Sequence, residues 1–162
     1  MSVYIKHKMN NIKIFENDLP NDIDLSNEKV IGLDCEALGL VMGRDPLTLI
    51  QLGLENKNFY LIKLNRDNYH APNLVKILTN PNIQFIMHYA RQDMLWLKYH
   101  LKVSIKNIFC TKLASKIART ASSSHGYKDL VKEICGKEIS KKEQQSDWGS
   151  PELSSKQISY AA

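Results

Sequence analysis

The sequence predicts an α/β fold in which one mixed sheet is flanked by helices within a single domain. Val30–Asp34 is a short apolar run typical of a buried strand, and strand patterns recur at Thr48–Leu54 and Phe59–Ile62. The polar segment 55–58 joins the last two and predicts a hairpin. Helical and strand patterns then alternate to the end of the chain, which is typical of layered α/β domains. A length of 162 residues suits one such domain.

The second half of the chain carries the predicted helices. Ile83–Met87 and Ile108–Phe109 are predicted strands that lie between them. Helices are predicted from Pro72 to Pro81, from Ala90 through Leu101, over Thr111–Ala121, over Tyr127–Cys135, and from Ser154 or Ser155 to Ala162. Four residues of the helix that starts at Thr111 are expected to face inward, namely Leu113, Ala114, Ile117 and Ala118.

The first residues differ from the rest of the chain. Residues 1–11 show no strand or helix pattern and are predicted to form a loose leader to a domain that spans residues 12–162. No apolar stretch follows their lysines, and no run in the chain approaches the length that crosses a bilayer. We therefore expect neither a signal peptide nor a membrane span, and a cytoplasmic location.

The net charge and the cysteines indicate which partners and which kinds of structural site are possible. The net charge of +5 is compatible with a polyanionic partner such as nucleic acid, but charge alone favours an ordinary lysine-rich surface. The three cysteines, Cys35, Cys110 and Cys135, are odd in number and lack C-x-x-C spacing. This argues against a zinc site or a disulfide framework and predicts reduced, mostly buried thiols.

The first candidate for chemistry lies where the first predicted strand ends. Side chains alternate along a strand, so Asp34 and Glu36 should point to the same face. Two neighbouring carboxylates repel each other unless a cation lies between them, and Mg²⁺ and Mn²⁺ prefer such oxygen ligands. The alternative is an exposed acidic strand end without a ligand.

A second candidate follows the strand at Ile83–Met87. Asp93 is expected in the first turn of the next helix, close behind His88. Stabilisation of the helix dipole by an acid is the alternative explanation for Asp93. His88 has no second histidine at a matching spacing, so the residues themselves indicate a loop or strand-end position.

The C-terminal part adds Ser146-Asp147-Trp148 and Tyr160. By themselves they suggest a capped loop with an aromatic plug and a half-buried tyrosine. Several common catalytic patterns are absent from the sequence, including a Gly-rich phosphate loop, G-x-S-x-G and H-E-x-x-H. Cys35 lies between two acids, whose charge would raise its pKa and argues against a nucleophilic role.

Together, these segments resemble the ribonuclease D family within the DEDD exonucleases, which have a ribonuclease H-like fold. The likeness runs from Ile14 to Ala162. Asp34 and Glu36 match the family's D-x-E, and Asp93 matches its second motif. The other matches are the segment 126–131 with G-L-x-x-L-V (Tyr127 replacing Leu), Lys141, Gln144 and 146–148 with K-x-x-Q-x-S-D-W, and 160–162 with the start of Y-x-x-x-D.

The sequence departs from the family pattern at two places. Cys110-Thr111 stands where the family usually has Asp-Thr, at a position that is not a metal ligand. The last Asp of Y-x-x-x-D would fall two residues beyond Ala162. The exonuclease domain is therefore expected to be incomplete at its C-terminus.

The resemblance implies a 3′→5′ exonuclease that removes nucleoside 5′-monophosphates with two divalent ions, Mg²⁺ or Mn²⁺. Asp34, Glu36 and Asp93 would be the metal ligands, and Tyr160 would orient the attacking water. The residues implied to bind substrate are His88, Gln51 and Leu38. The implied partner is single-stranded nucleic acid, with RNA preferred over DNA.

Two alternatives remain open from the sequence. One is a catalytically weak or inactive remnant of the family that binds nucleic acid without turnover. The other is an endonuclease of the ribonuclease H-like fold, which the Tyr160 and S-D-W matches disfavour. The sequence makes no prediction of the oligomeric state.

Overall fold

The computed structural model describes residues 11–140 and 142–162, which form one mixed sheet flanked by helices. The strands are β1 Ile12–Glu16, β2 Val30–Ala37, β3 Leu47–Leu54, β4 Phe59–Lys63, β5 Gln84–Met87 and β6 Ile108–Cys110. The helices are α1 Pro72–Leu78, α2 Arg91–His100, α3 Thr111–Ala118, α4 Tyr127–Cys135 and α5 Ser155–Ala161, with a 3₁₀ helix at Lys142–Gln145. The predicted fold class is confirmed. Within these residues, the helices are all too short or too polar to cross a bilayer.

The sheet order is β1-β4-β3-β2-β5-β6. Strands β2, β3 and β4 form an antiparallel meander, which confirms the predicted hairpin. Strand β5 pairs with β2 in parallel, and β6 pairs with β5 in parallel. The carboxyl ends of β2, β5 and β6 therefore lie at one edge, the place where open α/β sheets bind their ligands.

Each face of the sheet has its own core. The larger core lies on the face of Ile31 and Leu33 and includes buried residues of α1 and α2. The smaller core lies on the opposite face and contains Ile12, Ile14, Leu49, Leu61, Trp148 and Ile158. Because strand side chains alternate, this smaller core shares its face with Asp34 and Glu36.

Strand β1 was not predicted. Ile12 and Ile14 are buried on either side of the less buried Lys13, but Phe15 is buried too, so the period-2 signal in the sequence was weak. The strand pairs in parallel with β4, a partner distant along the chain. Residues 1–10 of the predicted leader lie outside the described residues. Asn11, the last residue of the predicted leader, accepts a hydrogen bond through its backbone carbonyl from the N–H of Phe59 at 2.8 Å.

The inward face predicted for α3 was wrong. Leu113 and Ile117 are 58% and 79% exposed, while Ser115 is buried. The Ser115 hydroxyl lies 2.9 Å from His125 Nδ1 and accepts a hydrogen bond from Arg119 at 3.0 Å. This polar network with the following loop turns the opposite side of the helix inward, and α3 ends at Ala118.

The thiols also differ from expectation. All three cysteines are free, as predicted, but Cys35 and Cys110 are only half-buried and Cys135 is exposed. Cys135 is the last residue of α4, which ends at the left-handed Gly136. The Cys135 thiol is exposed because the C-terminal end of α4 projects into solvent.

Candidate active site

The two acids of β2 lie where that strand leaves the sheet. Asp34 is opposite Gln51 of β3 and Glu36 is opposite Leu49, on the same sheet face. The register shifts directly after Glu36, which ends regular pairing. The Thr48 hydroxyl donates a 2.9 Å hydrogen bond to the Glu36 carbonyl oxygen and holds the backbone at this point.

Asp93 reaches the same place from the neighbouring strand. Strand β5 lies parallel to β2, and α2 begins four residues after β5 ends. Asp93 is in the first turn of α2 and is buried. Its charge contributes to the raised pKa of Glu36, and the Asp34 charge contributes to that of Asp93, so the three carboxyl groups are close enough to interact electrostatically.

Burial disfavours ionisation of all three acids, and neighbouring negative charge adds to this effect at Glu36 and Asp93. Burial raises the pKa of Asp34 to about 6, although part of its side chain is accessible to solvent. Burial, followed by the charges of Asp34 and Asp93, raises the pKa of Glu36 to about 8. Burial and then Asp34 raise the pKa of Asp93 to about 8. A cation placed among them would reverse these shifts.

The chemistry of this donor set fits hard divalent cations, since all its ligand atoms are carboxylate oxygens. Among residues 11–140 and 142–162, no three His, Cys, Asp or Glu side chains are grouped so that they could enclose one ion. A divalent cation held here would take carboxylate oxygens as ligands, and Mg²⁺ commonly keeps several waters beside them.

Tyr160 approaches the acids from helix α5. Burial raises its pKa to about 12, with smaller contributions from the charges of Glu36 and Asp34. Its ring packs against Trp148, with 5.9 Å between the ring centroids. The tyrosine therefore lies between the smaller core and the acidic site, with its hydroxyl protonated at neutral pH.

The S-D-W segment holds α5 in position. Ser154 and Gln157 form a capping box at the start of the helix. The Gln157 amide also donates a 3.0 Å hydrogen bond to the Asp147 carbonyl, and Trp148 is buried in the smaller core. The Asp147 carboxylate accepts a hydrogen bond from the Gly149 N–H at 3.0 Å, so the expected capped loop with an aromatic plug is confirmed.

Of the three residues expected to bind substrate, Gln51 contacts Glu36, and Leu38 and His88 follow the neighbouring strands β2 and β5. Gln51 is buried and hydrogen-bonds Glu36, while its own Oε1 has no partner among the described residues. His88 follows β5, and its Nδ1 lies 3.0 Å from the Thr111 hydroxyl. Leu38 follows β2 and lies against Gly149, where an added Cβ would be 2.6 Å from Leu38 Cδ1.

Tyr127 is a neighbour of the site that sequence reasoning did not select. Its ring lies 5.4 Å from that of His88, and its pKa is raised by burial and then by Asp34. The available signal was its replacement of Leu in the G-L-x-x-L-V pattern.

The Cys110 thiol is a second such neighbour. Burial raises its pKa, but the nearby backbone N–H groups of Leu113, Ala90, Tyr89 and Lys112 outweigh burial and lower it. The thiol thus lies among backbone N–H groups at the position where the resembled ribonuclease D pattern has Asp.

Comparison with known proteins decides the family. The sequence profile described as "3'-5' exonuclease" matches residues 14–162, nearly the whole chain. The chain belongs to the 3′–5′ exonuclease family. The predicted resemblance to ribonuclease D is confirmed, since Ribonuclease D of Xanthomonas oryzae is 30% identical over 145 residues.

Among solved structures of 3′–5′ exonuclease relatives, Brucella melitensis NrnC is 37% identical, with a TM-score of 0.88 over 94% of this chain and 73% of that one. Further structures of that protein are titled as bound to pGG and with bound Mg²⁺. The exosome complex exonuclease RRP6 of Saccharomyces cerevisiae is 30% identical over 139 residues, 85% of this chain. The chain spans 18% of RRP6 and 39% of the Xanthomonas ribonuclease D.

Proposed function

We propose that this chain is a 3′→5′ exonuclease that hydrolyses single-stranded nucleic acid with two divalent metal ions. The observation that carries the proposal is the meeting of Asp34, Glu36 and Asp93 at one sheet edge beside Tyr160. Carboxyl groups with strongly raised pKa values in one crevice are typical of functional sites. Membership of the 3′–5′ exonuclease family supports the same reaction.

Each residue has a proposed role. Asp34, Glu36 and Asp93 would hold Mg²⁺ or Mn²⁺, which lowers the pKa of a bound water and neutralises charge on the phosphate. The Tyr160 hydroxyl stays protonated and orients the attacking water by a hydrogen bond. Water oxygen bonds to phosphorus, the bond from phosphorus to the 3′ oxygen breaks, and that oxygen takes up a proton. The product is a nucleoside 5′-monophosphate.

The proposed substrate is a single strand, with RNA preferred over DNA. Ribonuclease D, RRP6 and an NrnC bound to pGG are relatives whose names or titles support a nucleic-acid substrate. The net charge of +5 favours phosphate contacts. Gln51, which contacts Glu36, and Leu38 and His88, which follow β2 and β5, would contact the terminal nucleotide. The proposed location is the cytoplasm.

A strand labelled at its 5′ end tests the reaction. With Mn²⁺ or Mg²⁺, the label should appear in a ladder that shortens from the 3′ end, and chelation of the metal should stop it. The Asp34→Asn variant should abolish the ladder. Internal cuts without a ladder would instead indicate an endonuclease.

Nucleic-acid binding without turnover is the second candidate function. The net charge of +5 supports it, because contacts to phosphate groups need no metal ligand. This candidate predicts strand binding that falls steeply with salt but no ladder with any divalent ion.

A further inference from the structure

Tyr89 has a backbone conformation that is unusual for its residue type. Its φ is 61°, in the left-handed region, and its side chain is 52% exposed. A bulky side chain at positive φ is rare and costs free energy, so the surrounding structure must impose it. Tyr89 lies between β5 and α2, at the sheet edge that carries the acids.

Contacts between two strand ends hold this conformation. The backbone N–H groups of Tyr89 and Ala90 on one side, and of Lys112 and Leu113 on the other, lie near enough to the Cys110 thiol to lower its pKa. The Thr111 hydroxyl donates to the Met87 carbonyl at 3.2 Å. The start of α3 is therefore fixed against the end of β5.

This arrangement places a cation over an exposed ring. The Lys112 Nζ lies 3.9 Å from the centroid of the Tyr89 ring. An exposed aromatic ring beside an ammonium group has the two features by which proteins bind single strands, a stacking surface and a phosphate contact. Because the ring is about half exposed, part of its surface is open to a base.

The pair is at a suitable distance from the acidic site. Strands β2, β5 and β6 are consecutive neighbours, and each step between strands is about 4.8 Å. Tyr89 follows β5 and Lys112 follows β6, so they lie about 5 to 10 Å along the edge from the end of β2. The ring of Tyr127, whose pKa is raised by burial and then by the Asp34 charge, lies 5.4 Å from that of His88, the residue before Tyr89.

We propose that Tyr89 and Lys112 form a nucleotide subsite beside the acidic site. The base of the nucleotide that precedes the 3′-terminal one stacks on Tyr89, and Lys112 contacts its phosphate. This inference rests on the proposed function, since it needs a single strand with its 3′ end at the acids. It adds a second point of contact that holds the strand while the terminal nucleotide is removed.

Binding of a fluorescent single-stranded RNA hexanucleotide, measured by anisotropy in EDTA, tests the subsite without cleavage. Tyr89→Asn is the informative variant, because Asn accepts positive φ and preserves the backbone while removing the ring. Tyr89→Phe keeps the ring and is the matched control. The second probe is the same RNA with an abasic residue before the 3′-terminal nucleotide.

We expect Tyr89→Asn to weaken binding about 10-fold or more, which corresponds to the loss of one stacked base. Tyr89→Phe should bind within about 2-fold of the unaltered protein. The abasic probe should bind the unaltered protein more weakly, with no further loss in Tyr89→Asn. Lys112→Met should lower the slope of log affinity against log salt by about 0.7, the value for one phosphate contact on a single strand.

Two results would overturn the inference, and they differ in what they say about the proposed function. If the protein produces a 3′→5′ ladder while Tyr89→Asn binds both RNAs like the unaltered protein, the subsite is wrong and the exonuclease stands. If the unaltered protein neither binds nor shortens any strand, the proposed function fails together with the subsite. Thermal melting of each variant shows whether a loss of binding reflects unfolding.

Discussion

Gln51 lies directly opposite Asp34 in the register of β2 and β3, with both side chains on the same face of the sheet. The buried amide of Gln51 also hydrogen-bonds the Glu36 carboxylate, which lowers the Glu36 pKa against the effects of burial and of neighbouring charge. Its Oε1 remains unpaired among the described residues. A neutral amide is thus built into the acidic cluster.

Replacing this amide should weaken metal binding. Gln51→Met keeps a similar volume but removes the hydrogen bond that orients Glu36. We expect the Mn²⁺ affinity, measured by titration calorimetry, to fall by about 10-fold or more, as is typical when a group that orients a metal ligand is lost. Gln144→Met changes an exposed glutamine in the same way and should have no effect. Equal affinities for the two variants would contradict the proposed role of Gln51.

The raised pKa values predict how stability depends on pH. Glu36 and Asp93 have pKa values of about 8 when folded and ordinary ones near 4 when unfolded, so between these values the folded state binds more protons. The metal-free protein should therefore lose stability as pH rises toward 8, and the loss should be complete above it.

Thermal melting in EDTA between pH 6.5 and 9 measures this effect. Divalent ions should reduce the decline, because they bind the ionised carboxylates and stabilise the folded state by mass action. Asp93→Asn removes one titrating group and should flatten the curve. A melting temperature that rises with pH in the metal-free protein would show that these acids are ionised at neutral pH.

Substitutions of Trp148 and Tyr160 should have different effects, the first on stability and the second on turnover. Trp148 is buried against α5, and Trp148→Ala should reduce the free energy of unfolding by about 3–5 kcal/mol. Tyr160→Phe keeps the ring and should change stability little. It should lower turnover about 10-fold or more, since it removes a hydrogen bond to a charged reaction centre. Full activity of Tyr160→Phe would exclude the proposed role of the hydroxyl.

A polypeptide extended beyond Ala162 should shorten a nucleic-acid strand faster. The ribonuclease D pattern has an Asp four residues after Tyr160, and residues near a helix end fray. We expect a polypeptide of residues 1–162 to shorten a labelled strand about 100-fold more slowly than one extended by one residue, an Asp and a further helical turn. The same extension with Asn in place of Asp separates the carboxylate from the added turn. Equal rates for all three polypeptides would refute the match at this motif.

The sequence by itself determined the features that depend on neighbours along the chain. Alternation along β2 puts Asp34 and Glu36 on one face whatever the rest of the chain does. The polar segment 55–58 makes the hairpin between β3 and β4, and Gly136 ends α4. The ordered motifs also identified the ribonuclease D family, because several spaced matches are far more specific than any one of them.

Only the tertiary structure decided which distant segments meet. Asp93 lies near Asp34 because β5 pairs in parallel with β2. Tyr160 lies near these acids because contacts of Trp148 and Gln157 hold α5 on the sheet face opposite the larger core. The exposed side of α3 and the left-handed Tyr89 likewise follow from contacts with other segments. Local periodicity sets which side chains share a face, but pairing and packing across the chain determine what that face contacts.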